Sequence, residues 1–184
     1  MVKTLRRHLN HWIATRTPRV PGPWLIGRRR VYIVPTRYGY GYGLLLFTML
    51  LGAMNYSNSM AFALTFLLAG IGLLAMHYTH SNLVNLSISS LPVSAVFAGQ
   101  PVRFPIRIAN PSKAARFAIA ATWQEAPLLA HVDIAAADEA ETALQLDSHK
   151  RGWLPAPRFA VSTEFPLGLF HAWTWVELDI ACLV

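Results

Sequence analysis

Two hydrophobic patterns follow one another along this chain. Between residues 38 and 77 apolar residues run almost unbroken. Tyr38 to Met54 and Met60 to His77 contain no Asp, Glu, Lys or Arg, and only Asn55-Tyr56-Ser57-Asn58-Ser59 separates them. From Asn82 onward the period shortens to two. Val84, Leu86 and Ile88 alternate with Asn85, Ser87 and Ser89. Val102, Phe104, Ile106 and Ile108 alternate with Arg103, Pro105, Arg107 and Ala109, and the habit returns at Phe117-Ile119-Ala121 and Phe159-Val161-Thr163.

A spanning helix needs about 20 apolar residues, and in hydrocarbon its backbone must pair within itself. A soluble core helix would carry a polar stripe, which neither apolar run shows. The first pattern therefore predicts a two-helix transmembrane hairpin. Alternation of period two marks strands with one buried face. Turn signals divide these strands at Ala98-Gly99-Gln100-Pro101, at Asn110-Pro111-Ser112-Lys113 and at Arg151-Gly152. The second pattern thus predicts a small immunoglobulin-like β-sandwich. The expected fold class is membrane α plus β. Residues 1–37 form a basic cytoplasmic arm, 38–80 the transmembrane hairpin and 81–184 a cytoplasmic β-sandwich. The Ala-rich, acidic stretch from Ala135 to Ala143 fits either a loop or a helical turn.

Charge is divided unevenly. Lys3, Arg6, Arg7, Arg16, Arg19, Arg28, Arg29, Arg30 and Arg37 all precede the first apolar run, and no acid appears before Glu125. The formal charge of +7 therefore belongs to the N-terminal part. Cytoplasmic flanks collect Lys and Arg, so Arg28, Arg29, Arg30 and Arg37 read as an orientation signal. They place the N-terminus and the β-domain inside, at a bacterial inner membrane. Leu5, Leu9, Trp12 and Ile13 recur at helical spacing, which suits a short amphipathic segment on a membrane surface. Nucleic-acid binding has no support beyond charge and is not expected. Tyr38, Tyr40, Tyr42 and Tyr56 suit the interfaces of a bilayer. Gly39 and Gly43 have the GxxxG spacing of close helix packing in lipid.

Little in the chain points to chemistry. The lone cysteine, Cys182, excludes an internal disulfide. His77 and His80 are three apart but lack the third and fourth ligands a metal site needs. Glu125, His131, Asp133 and Glu164 are scattered acid–base candidates. No catalytic, cofactor or metal site is expected.

The run STEFPLGLFHAW at Ser162–Trp173 is the most distinctive in the second half. Pro166 and Gly168 predict a turn between Phe165 and a strand at Leu169-Phe170, with the aromatics packed on the core. Other notable runs are RRRVYIVPTRYG before the first apolar run, MLLGAMNYSNS, LTFLLAG and FAGQPVRFPIRIAN. Together they resemble the N-terminal portion of the bacterial domain-of-unknown-function fifty-eight family, over roughly residues 28–180. The resemblance implies structural roles for Phe165, Pro166, Gly168, Leu169, Phe170 and Trp173. It implies an inner-membrane protein with two early spans and a cytoplasmic body, made beside MoxR-type AAA ATPases and other membrane proteins. The family's Tyr/Gly/Asp-rich, von Willebrand-like domain is not reached by Val184, so that domain is expected to be absent.

The expected function is a membrane-anchored accessory protein, integral in the lipid bilayer by two spans. It would act with a MoxR-type AAA ATPase in assembly or maturation of other proteins. Two alternatives stand beside it. One is a subunit of an envelope or peptide-processing enzyme system. The other is an envelope-facing receptor domain, should the topology be inverted.

Overall fold

The computed structural model describes residues 23–123 and 131–184. The amphipathic segment expected around Leu5 to Ile13 lies outside them, as does Glu125. Strands β1 (Trp24–Leu25) and β2 (Tyr32–Pro35) come first, joined by a single 3₁₀ turn at Arg28–Arg30. Helices α1 (Arg37–Asn55) and α2 (Ser59–Leu83) follow. The rest is β: β3 (Ser87–Ser90), β4 (Pro101–Ala109), β5 (Arg116–Trp123), β6 (His131–Ile134), β7 (Glu139–Asp147), β8 (Trp153–Pro155), β9 (Phe159–Thr163), β10 (Phe170–Val176) and β11 (Ala181–Leu183).

These strands form a four-stranded sheet in the order β1-β3-β4-β7, a five-stranded sheet in the order β2-β10-β9-β5-β6, and a β11-β8 ribbon. All their pairings are antiparallel. The alternation seen in the sequence becomes the inner face of β4 and β9, whereas β5 departs from it, with Phe117 exposed and a register shift between Arg116 and Ile119. Val102, Phe104, Ile106 and Ile108 of β4 are buried in one core cluster with Ile119, Phe159, Val161, Ala172 and Val176 of the other sheet. Trp123 ties the two sheets together, its ring edge-on to Phe104 at 5.9 Å and to Phe159 at 6.0 Å. Such edge-to-face contacts add to the area they bury.

The fold corrects the expected class. It is mostly β, and its two helices are not a two-helix transmembrane hairpin. Among the described residues only α2 is long and apolar enough to cross a membrane. Helix α1 opens on Arg37 and spends its next six residues alternating Tyr and Gly. Three tyrosines and four glycines in 19 residues dilute its apolar character. Nor do the strands simply follow the helices as an immunoglobulin-like unit would. Strands β1 and β2 precede α1, yet each closes an edge of a sheet: Trp24 pairs with Ile88, and Pro35 with Phe170.

That topology fixes the placement of the helices. The chain leaves the five-stranded sheet through β2 to enter α1, and returns from α2 into the four-stranded sheet through β3. Both ends of the helical pair are therefore held by one β body. The uncharged Tyr56-Ser57-Asn58 link lies at the far tip, where the Asn58 side chain caps α2 by accepting from the amides of Met60 and Ala61.

Candidate functional site

The helical pair is built like a shaft on a socket. Along α2 the side chains of Met60, Leu64, Phe66, Leu67, Leu73 and Leu74 are exposed, and along α1 so are Leu44, Leu45, Phe47, Leu51 and Met54. Only 17% of the most apolar 18-residue stretch of α2 is buried inside the molecule, unlike the core helix of a soluble domain. That stretch is about 27 Å long at 1.5 Å per residue. A contiguous apolar surface of this kind marks contact with lipid or with an apolar partner.

The helices meet through one aromatic and one small residue. The Tyr42 hydroxyl donates to the Leu68 carbonyl at 2.7 Å, and a Cβ on Gly72 would lie 3.1 Å from the Tyr42 ring. Gly72 is thus the small residue of the close approach. The GxxxG pair does something else. At Gly39 a Cβ would collide with the Leu169 carbonyl oxygen, whereas at Gly43 it would meet nothing within 4 Å. Gly39 packs α1 onto the β body, not onto α2.

The root of α1 is keyed to the turn between β9 and β10. The Thr36 side chain caps the helix by accepting from the Gly39 amide at 3.2 Å. Its hydroxyl donates to the Gly168 carbonyl at 2.6 Å, and its amide donates to the Leu169 carbonyl at 2.9 Å. Gly168 holds φ at +67°, a conformation that favours glycine, and the Gly168 amide donates to the Glu164 carbonyl at 2.9 Å. The motif residues therefore form a clasp. Phe165 packs on Phe117 with centroids 4.9 Å apart, Phe170 pairs with Pro35, and Trp173 lies against Tyr32 and His171. Pro166 and Leu167 are exposed on the turn, and Phe165-Pro166 is a cis peptide.

The root of α2 is keyed to the same region. Asn82 is 4% exposed, and its amide nitrogen donates to the Phe117 carbonyl at 2.7 Å and to the Thr163 hydroxyl at 2.9 Å. Its oxygen accepts from the Phe117 amide at 3.2 Å. Arg116 reaches the last turn of α2, donating to the carbonyls of Ser81 and Val84. A cation there answers both the free carbonyls and the negative end of the helix dipole. Burial lowers the Arg116 pKa from the ordinary arginine value. Replacing Arg116 by Met keeps the stem and removes these donors. The expected loss is about 1–2 kcal/mol, read from thermal unfolding of the full-length chain.

Polar and aromatic residues ring the shaft where it meets the body. Counting from the Tyr42–Gly72 contact along the antiparallel helices brings Arg37 level with His77. The Arg37 guanidinium lies 4.8 Å over the Tyr38 ring and donates to its hydroxyl at 2.9 Å. Tyr38, Tyr40 and Tyr78 are all more than half exposed. Arg28, Arg29 and Arg30 are exposed on their turn, with Arg30 4.6 Å over the Trp24 ring.

The acid–base candidates are not brought together. His131, Asp133 and Glu164 are exposed. The Asp133 carboxylate accepts from the Ala118 amide at 2.7 Å, and Glu164 pairs with His171 at 3.0 Å. No hydrogen bond links any two of these candidates among the described residues, and no group of three His, Cys, Asp or Glu there could hold a metal. Cys182 is buried. Thr36, Asn82 and Arg116, which do organise the site, give no local signal in the sequence beyond a helix-capping threonine.

Comparison with protein-family models, with curated proteins and with solved structures finds no match to this chain.

Proposed function

We propose that this chain is a membrane-attached interaction module, with the apolar surface of α2 seated in a lipid bilayer and the β body held at one face of it. The observation that carries this reading is the exposed apolar surface of α2 above a root of tyrosines and arginine. Immersion removes that surface from water at about 25 cal/mol per Å². The tyrosines then stand at the level where amphipathic rings favour the interface. Both ends of the helical pair return to the body, so the apolar surface of α2 stays tethered beside it. The arginines lie on the body's side, and their sign favours the cytoplasmic face of an inner membrane. The body is then a binding surface presented to cytoplasmic proteins. The family resemblance names a class for them, a MoxR-type AAA ATPase, with a role in assembly or maturation of other proteins. Co-purification of the full-length chain from detergent extracts with such an ATPase supports that partner, and its absence from the eluate removes it.

Leu67 tests the attachment. It is 62% exposed near the middle of α2. An exposed Leu→Arg change on a soluble helix shifts stability by no more than about 0.5 kcal/mol. At the centre of a helix in lipid an Arg costs about 2.5–3.5 kcal/mol. Flotation of the full-length chain with phosphatidylcholine vesicles is expected to fall sharply in Leu67→Arg while its unfolding temperature holds. A wild-type chain that stays at the bottom of the gradient overturns the reading.

A further inference from the structure

We infer that the Phe165–Leu169 turn, with Phe117 packed beside it, is a second lipid-contacting element, which seats the β body in the interface of the bilayer next to α2. The inference rests on the membrane-attachment reading and adds the part of the body that meets lipid. Its first support is height along the helices. The Leu169 carbonyl accepts from the Thr36 amide at 2.9 Å and lies so close to Gly39 that a Cβ there would collide with it. Counting from the Tyr42–Gly72 contact along the antiparallel helices brings Gly39 level with Ala75. Ala75 lies inside the run Met60–His77, which holds no Asp, Glu, Lys or Arg. The turn therefore flanks the apolar run of α2 instead of stopping below it. A bilayer that takes in that run meets the turn as well.

The second support is what the turn offers at that level. Pro166 is exposed and Leu167 is 55% exposed at its tip. Phe165 packs on Phe117 with centroids 4.9 Å apart, and Phe117 is itself 40% exposed. Phe117 points outward where β5 breaks step. Ala118 takes a φ of +51°, and the register with β6 shifts between Arg116 and Ile119. Such a bulge re-aims a side chain, and the strain of a non-glycine residue at positive φ is kept only where the surroundings hold it. Asn82 of α2 holds both the amide and the carbonyl of Phe117, so the aromatic pair is pinned to the helix root. The third support is charge. Phe165–Leu169 carries none. Carboxylates at this end of the body are engaged by the protein. Glu164 pairs with His171 at 3.0 Å, Asp133 accepts from the Ala118 amide at 2.7 Å, and Glu139 pairs with Arg107 at 3.4 Å. An uncharged tip of Pro and Leu backed by two Phe rings suits the level where acyl chains meet headgroups. Its continuity with the apolar surface of α2 favours lipid over a soluble partner.

The test places a nitroxide on single cysteines in a Cys182→Ala background, with the full-length chain in phosphatidylcholine vesicles. The positions are Leu167→Cys, Leu67→Cys and Ala98→Cys. Leu167 is exposed on a turn, so substitution there leaves the fold intact. Ala98 is the control. It precedes β4, whose other end pairs with Ser87 just past α2, and the nine residues between span about 30 Å. Collision of each label with oxygen, which concentrates in lipid, and with a water-soluble nickel chelate reads its depth. The expected oxygen-to-chelate ratio is highest at 67, several-fold above the control at 167, and lowest at 98. A ratio at 167 equal to that at 98, with 67 in lipid, overturns the inference and keeps the attachment. Ratios at 67 and 167 both equal to that at 98 remove both.

Discussion

Gly39→Leu is expected to unseat α1 from the β body, at a cost of about 3 kcal/mol or more. A Cβ at this position runs into the Leu169 carbonyl oxygen and lies 3.2 Å from the Pro35 side chain. The obstruction is backbone on one side and a strand residue on the other, so no side-chain rotation relieves it. Overpacking a well-filled site typically costs about 1–3 kcal/mol, and more where the backbone must shift. The Leu169 carbonyl also accepts the Thr36 amide, so moving it loosens the cap of the same helix. Gly43 supplies the control. A Cβ there meets open space, and Gly43→Ala should gain about 0.5–1 kcal/mol from helix propensity alone. Thermal unfolding of the full-length chain, followed by tryptophan fluorescence, reads both. Equal effects at the two positions would show that Gly39 is not keyed to Leu169.

Asn82→Leu is expected to cost about 2–3 kcal/mol, through groups it leaves behind. Its amide satisfies both the N–H and the C=O of Phe117, in a part-buried setting, and bonds Thr163 in a buried one. An unsatisfied buried polar group costs about 1–3 kcal/mol, and here two backbone groups lose their partner together. Thr163 can still donate to the Phe117 carbonyl, at 3.2 Å, which softens the loss on that side. Asn82→Asp keeps an acceptor for the Phe117 amide and loses the donor, so its defect should fall on the C=O side alone. Chemical denaturation of the full-length chain measures both variants. Equal stability of Asn82→Leu and wild type would mean that the knot joining α2 to β5 and β9 is not required.

Much of the β body was legible because its signal is local. Strand β4 buries every second residue from Val102 to Ile108, as its alternation predicts, and β9 buries Phe159 and Val161. Strand β1 was not legible as a strand, and Val31–Pro35 was legible as extended but not as the edge of a sheet. Strands β1 and β2 have two and four residues, and their partners lie about 60 and 140 positions away in sequence. The stretch Ala135 to Ala143 was open between loop and helical turn. It is the end of a turn followed by β7, because pairing with β4 and the burial of Leu144 outweigh the helix preference of alanine. The expectation of two spans failed in α1, where the absence of acidic and basic residues hid a glycine- and tyrosine-rich first half.

The sequence by itself determined where apolar residues run together and where they alternate. It thereby determined the two helical segments, the longer alternating strands such as β4 and β9, and where the basic charge collects. Those properties depend on neighbours within a few residues, so a linear reading reaches them. Only the tertiary structure decided that Gly39 faces a carbonyl 130 residues away and that Gly72 makes the helix contact. It also decided that Asn82, Arg116 and the Thr163–Phe170 turn hold the two roots of the shaft. Most of those partners are backbone amides and carbonyls, which every residue type carries alike. Their position comes from strand pairing across the whole chain, so no side-chain pattern announces them.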